Sequence, residues 1–428
     1  MRGIADLDTR RRTWRERRVR EWIASLPLAE PARALSLLAR SVRALNASPM
    51  DPSTRIALLC CYEEPARNLA AALQGPRGDG QRVLLAALHS EIAQGYQTAL
   101  ASADVSREGR RCATRGALRQ LTEVMLAAFR AYVPTPPGLW RRIHALFRND
   151  ELLGEEVEQA YVQALLLGLS DPYALPVGGI DVVHQVVALL APAAVLNPTQ
   201  GFAIAFEADR VVEARGAAAL YLDTAPVLAD LARWRKDLKV HRRLPEALAP
   251  FVLPALAERL FGLLQRSWYS GPRRRLPRVR LGGERLVCHD LATLRRCAGL
   301  GSGQQFVDLD RPFNPGLAAA VRLSTWRVRD AGRGGLWLST HELSGAPPLP
   351  GAWIGIKDPH GDGEWRIGSV RWLKRARPHE YAIGVQILGD MQARAVLRAG
   401  FPTATRPPRL WPAAAAGVGG RLVRTGDA

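Results

Sequence analysis

Between Trp326 and Leu388 the residue period of this chain changes. WRVRDAGRGGLWLST, PGAWIGIKD, GEWRIGSVRWLKR and EYAIGVQIL each alternate apolar with polar or small residues, and Gly, Pro or Asp bounds each. Alternation with period two, rich in Trp, Val and Ile, is the pattern of half-buried strands joined by tight turns. No comparable run occurs before about residue 275, where apolar residues recur at three and four. One backbone period cannot serve as the other, because strands alternate faces at every residue and helices turn every 3.6. The chain therefore divides into a long helical region and a small all-β module: an α+β multidomain class with an antiparallel β-barrel near the C-terminus.

Segments such as PARALSLLARSVRALN, RVLLAALHSEIAQGYQTAL and GALRQLTEVMLAAFRAYV give amphipathic helical faces. Pro134, Pro136 and Pro137 interrupt them, and GLWRRIHALFRND restarts the pattern. EEVEQAYVQALLLGL carries its acidic residues in the first turn, where they complement the helix dipole. In NPTQGFAIAFEADRVVEA, Phe202, Ile204 and Phe206 alternate, and a short strand pair is expected there. VRLGGERLV reads as a first strand, DLATLRRCAGL as a short helix and QARAVLRAG as a closing helix. No fixed-period repeat is evident. The expected domains are a basic arm (1–25), a helical domain (26–270, with a sub-boundary near 134–138), an Arg-rich segment with a short helix and linker (271–325), the β-barrel (326–400) and a disordered tail (401–428).

Charge narrows the partners. The formal net charge is +19. Arg supplies nearly all of it, since the only Lys are Lys236, Lys239, Lys357 and Lys374. Such a surplus favours phosphates, nucleotides, nucleic acid or an anionic membrane face. The N-terminal arm sets Trp14, Arg18 and Trp22 along one helical face, which suits either an anionic surface or docking of the two Trp on the first domain. Cys60, Cys61, Cys112, Cys288 and Cys297 are odd in number and form no CxxC pair, so a disulfide framework or zinc site is not expected and a reducing compartment fits. The N-terminus has no apolar core of signal-peptide length, and no stretch has the length of a spanning helix, so a cytoplasmic location is expected.

No catalytic constellation is visible. The phosphate loop GxxxxGK[ST] is missing, as are HExxH, GxSxG and a GxGxxG after a strand. The His are scattered; His144 and His184 sit on apolar helices, where a satisfied core residue is the ordinary role. The adjacent pairs Glu63–Glu64, Asp150–Glu151 and Glu155–Glu156 do not converge on one point and read as solvated faces. Neither enzymatic chemistry nor a resident cofactor is expected.

What remains is a run of Arg ahead of the β-module: Arg273, Arg274, Arg275, Arg278, Arg280 and Arg285. Arg274 and Arg278 form RxxxR, and Asp330-Ala331-Gly332-Arg333-Gly334-Gly335 overlies the pattern [DN]xSxxG, with Gly332 where the pattern has Ser. A basic RxxxR preceding a small barrel with that motif resembles the PilZ domains, bacterial receptors for cyclic dimeric GMP. The strands GEWRIGSVRWLKR and EYAIGVQIL are similar to the closing strands of that barrel. The helical region is similar in style to the N-terminal part of long proteobacterial proteins that end in such a domain. The resemblance implies a PilZ-like barrel, cyclic dimeric GMP as ligand, and Arg274, Arg278, Asp330, Gly332 and Gly335 as the residues that hold it. The chemistry suits: the Arg fork pairs with phosphate or a guanine edge and stacks on bases, and a carboxylate accepts from base N–H groups.

Two further readings stand beside a signalling receptor that passes its state to a protein partner in motility, pili or envelope synthesis. The barrel could be a ligand-blind scaffold that docks protein partners. A nucleic-acid binder ranks third, because the charge is spread along the chain and no recognition module is evident.

Overall fold

A computed structural model describes residues 14–73, 79–148, 154–212, 218–271, 279–289, 323–332, 334–343, 345–360, 365–377 and 379–390. Among these residues ten helices come first, with a small sheet between the eighth and the ninth, and a closed barrel follows. The chain thus has the expected class, a helical region followed by an antiparallel barrel.

The helices are α1 (Glu16–Ala24), α2 (Pro31–Ala47), α3 (Pro52–Ala72), α4 (Asp79–Leu100), α5 (Arg107–Arg130), α6 (Leu139–Arg148), α7 (Glu155–Leu169), α8 (Gly179–Leu190), α9 (Ala225–His241) and α10 (Pro254–Ser270). Their starts carry the expected chemistry. Asp51 caps α3 by accepting from Thr54 N at 2.8 Å, and Ser106 caps α5 by accepting from Gly109 N at 3.0 Å. Helix α5 runs through the middle of the bundle, with Leu118, Leu121, Met125 and Leu126 fully buried. Trp14 Nε1 donates to Ser48 Oγ at 3.0 Å and Trp22 packs against the helical core, so both arm tryptophans dock on the first domain. Among the described residues no helix is long and apolar enough to cross a membrane.

Helix α6 restarts after the proline break with help from far along the chain. Asp209 accepts from Gly138 N at 2.5 Å and from Trp140 N at 2.9 Å, satisfying orphan donors at the helix start. His144, fully buried on this helix, is a structural core residue. Its Nε2 donates to Arg210 O at 2.8 Å, and its Nδ1 therefore accepts from Tyr161 Oη at 2.7 Å.

The alternation around Phe202 yields less strand than its period suggests. Only Phe202–Ala203 (β2) is strand; it pairs with β3 (Tyr221–Asp223), which also pairs with β1 (Val195–Asn197). Asn197 Oδ1 accepts from Thr199 N and Gln200 N, turning the chain where a longer strand would run.

The barrel consists of β4 (Glu284–Cys288), β5 (Leu323–Gly332), β6 (Gly335–Thr340), β7 (Trp353–Lys357), β8 (Arg366–Arg377) and β9 (Glu380–Asp390). Its order is β4-β5-β6-β9-β8-β7, and β7 pairs back onto β4, so every neighbour is antiparallel and the sheet closes. The segment VRLGGERLV, read as a strand from its sequence, supplies β4 and completes the ring. The interior is filled by Val287, Trp326, Val328, Leu338, Ile354, Ile356, Val370, Leu373, Ile383 and Val385. Closure leaves no unpaired edge, and the alternate residues face outward.

Helices and barrel meet at β8. The Arg375 N–H donates to the Tyr132 carbonyl at 2.7 Å, the Tyr132 side chain packs against the barrel core, and Lys374 Nζ lies 5.1 Å from the Tyr173 ring centre. The short helices and the tail expected near 290–300 and beyond 391 lie outside the described residues.

Candidate ligand site on the barrel

The DAGRGG motif stands on a hairpin. Gly332 pairs with Gly335, leaving a two-residue connection between β5 and β6. A bulge between Val328 and Asp330 sets the face of each residue beyond it. Before the bulge, Ser324, Trp326 and Val328 are buried; after it, Ala331 packs on the core opposite Leu336, so Asp330 takes the opposite, outer side. The bulge re-aims a carboxylate that unbroken alternation would have directed inward.

Asp330 pairs across the strands with Trp337, Trp337 with Gly384, and Gly384 with Trp372. These four residues form one row across β5, β6, β9 and β8. Leu338, Ile383 and Leu373, each next to a member of the row, point into the core, which confirms that the row belongs to the outer side. Gly384 makes the arrangement possible. A Cβ there would lie 1.9 Å from Trp372 Nε1, so the Trp372 indole lies across the glycine towards Trp337. The two rings meet edge to face at 6.2 Å between centres. Trp337 Nε1 is shielded from solvent and has no hydrogen-bond partner among the described residues. An unsatisfied donor of this kind costs about 1–3 kcal/mol, so an acceptor placed there would be favoured.

On its other side, β5 is flanked by the segment that follows the Arg run. Val279 N donates to Ala331 O and Ala331 N to Val279 O, both at 2.9 Å, extending the β4–β5 ladder to the residue beside Asp330. Arg280 is exposed there. Arg327 is also exposed, and Arg329 Nε donates to Ser339 Oγ at 2.7 Å. The outer side of this part of the barrel is therefore bounded by guanidinium groups.

Of the residues singled out in the sequence, Asp330, Gly332 and Gly335 are brought together by the hairpin, while Arg274 and Arg278 lie outside the described residues. Asp330 is only 5% exposed and engages other groups of the chain. Gly335 has a packing reason of its own: a Cβ there would stand 2.3 Å from Val385 O. Trp337, Trp372 and Gly384 are the additions. Sequence alone does not separate these two Trp from Trp326 and Trp365, which are buried. The usable signal was the glycine inside EYAIGVQIL, since a glycine in a strand interior often marks a close approach. Among the described residues no group of three His, Cys, Asp or Glu could hold a metal ion.

Comparison with known proteins bears mainly on the helices. The family model described as "Cyclic-di-GMP receptor FimW, N-terminal domain" matches residues 17–199. A curated relative from Pseudomonas aeruginosa, the cyclic-di-GMP receptor FimW, is 24% identical over an alignment covering 91% of this chain. Because the helical region ends at Ser270 of 428 residues, that alignment runs past it into the barrel. The chain spans 66% of that relative's length. No solved structure matches. In sequence, then, this chain is similar to a named cyclic-di-GMP receptor along most of its length, and to that receptor's N-terminal domain across its first eight helices and the start of the small sheet.

Proposed function

We propose that this chain is a cyclic dimeric GMP receptor whose ligand lies on the outer side of the barrel, over the Asp330–Trp337–Trp372 row and under the Arg-bearing segment ahead of β4. The observation that carries this reading is the Val279–Ala331 pairing. Arg278 is the residue before Val279 and Arg274 stands one RxxxR period earlier, so chain connectivity ties the basic run to the strand holding Asp330. A barrel facing the other way would have separated them.

The parts match the ligand's chemistry. Its two phosphodiesters call for Arg274, Arg278 and Arg280, the guanine faces for an indole, and the guanine N–H edge for the Asp330 carboxylate. The unsatisfied Trp337 N–H offers a donor to a guanine carbonyl or phosphate oxygen. The names carried by the matching family model and by the relative support the same ligand. On this reading, ligand closure is felt at β8, the strand bonded to Tyr132, and reaches the helical region as the signal to a protein partner in motility, pili or envelope synthesis. The chain acts by binding, in the cytoplasm, without catalysing a reaction.

Isothermal titration of the full chain with cyclic dimeric GMP tests this. Saturable binding is expected, weakened at least about tenfold by Arg278→Ala or Asp330→Ala, which is the scale of one lost charge-assisted contact. No heat with the unmodified chain, or unchanged affinity in both variants, overturns the site. The burial of Asp330 and the glycine at position 332 favour the second reading, a ligand-blind docking scaffold, and the same titration decides between them.

A further inference from the structure

Away from the barrel motif, two arginines converge on the seam between the last two helices. Helices α9 and α10 run antiparallel: the Trp234 and Phe261 ring centres lie 6.1 Å apart, and Lys239 Nζ lies 3.8 Å from Glu258 Oε1. Beside these contacts stands Arg235, half-buried, whose Nη1 donates to Gln265 Oε1 at 2.6 Å. That bond fixes the guanidinium plane and leaves its opposite edge open. On that edge, Nε is shielded from solvent and has no hydrogen-bond partner among the described residues. Arginine keeps its charge throughout the ordinary pH range, so the donor cannot be silenced by losing its proton. The adjoining Nη2 faces Gly262 of α10. A Cβ at that glycine would lie 3.5 Å from Arg235 Nη2 and 3.8 Å from Arg266 Nη1, both ordinary contact distances. Two guanidinium groups therefore hang over one bare turn of helix. Arg266 is exposed and engages another group of the chain as well. Like charges brought this close repel, and an anion shared between them turns the repulsion into attraction.

We propose that Arg235, Arg266 and the Gly262 floor form a site for a phosphate-class oxyanion. Arg235 offers Nε–H and Nη2–H along one edge, the side-on edge that pairs with two oxygens of a phosphate. Arg266 Nη1 reaches the same floor from a second direction. This suits a tetrahedral ion, which has a further oxygen to give, better than a flat carboxylate whose two oxygens a single Arg satisfies. Gly262 matters because a side chain there would take the space between the two guanidinium groups. The ligand is a soluble phosphate or the phosphate of a lipid headgroup, which carry the same chemistry.

Isothermal titration of the full chain with inorganic phosphate, at neutral pH and constant ionic strength in chloride, tests this. Saturable binding is expected, and acetate at the same concentrations should give none. Arg235→Ala and Arg235→Lys should each weaken phosphate binding at least about tenfold, since Lys keeps the charge but lacks the side-on edge. Gly262→Ala should weaken it too, with no fall in the melting temperature of the ligand-free chain, because the added methyl group meets both guanidinium groups at ordinary contact. Cosedimentation with phosphatidylglycerol vesicles forms the second arm. Vesicle binding that is lost in Arg235→Ala assigns the phosphate to a lipid headgroup, whereas phosphate binding without it assigns a soluble ion. The proposal is overturned if phosphate gives no saturable heat and vesicles bind Arg235→Ala as they bind the parent. It is equally overturned if both Arg235 variants take phosphate as the parent does, or if acetate binds as well as phosphate.

Discussion

Gly384 shows how much one residue decides. The row from Asp330 to Trp372 exists because a strand position without a side chain lets an indole cross it. In Gly384→Ala, the added methyl and the Trp372 ring cannot both keep their places. Overpacking of this kind costs about 1–3 kcal/mol, so the urea midpoint of the barrel transition should fall with an unchanged slope. A variant as stable as the parent would mean that Trp372 does not lie across the glycine. Because the same ring is part of the proposed ligand surface, the variant should also lose affinity for cyclic dimeric GMP. Gly332, by contrast, pairs within the hairpin and takes no side chain to the site, so the hydroxyl that the PilZ pattern places there has no counterpart.

At the scale of an element, α6 illustrates a start signal that lies outside the element. Its N-terminus has no local Ser, Thr, Asp or Asn cap. Asp209 reaches it from the loop after β2 and accepts from two backbone donors. Removing those acceptors in Asp209→Ala should destabilise the helical region by about 0.5–2 kcal/mol, the usual worth of an N-cap, while Asp209→Asn should recover most of it. Chemical denaturation followed by far-ultraviolet circular dichroism measures both. Equal stability of Asp209→Ala and the parent would sink the assignment. The prolines before α6 explain the break in period, but they do not show where the capping group comes from.

For the whole molecule, the buried histidines set a pH response. Burial holds His89, His144 and His184 below the ordinary imidazole value of 6.5, so each is favoured neutral in the folded chain. The unfolded chain then binds more protons than the folded one as pH falls. Their contribution to stability is complete above 6.5 and is lost as pH drops below it through the lowered folded values. Melting temperatures should be flat from neutral pH to about 6.5 and decline on further acidification. His144→Gln, which keeps an acceptor and a donor, should flatten part of that decline. A melting temperature rising from pH 6.5 to 5 would contradict the burial argument.

The division into helices and barrel was legible in the sequence, because a backbone period of 3.6 or 2 is written directly in the spacing of apolar residues. So was the docking of Trp14 and Trp22, as one of two readings, whereas the hairpin under DAGRGG was not separated out of the continuous alternating run WRVRDAGRGGLWLST. What the linear pattern does not contain is which strands become neighbours. Asp330, Trp337, Trp372 and Gly384 come from four strands whose order in the barrel, β5-β6-β9-β8, is not their order in the chain. A single bulge after Val328 reverses the face of Asp330, and the bridge from Val279 to Ala331 sets Arg280 beside that strand. Local periodicity follows from backbone geometry within each segment, whereas register, bulges and helix contacts follow from closing one core over distant segments, and that closure brings the chemistry together.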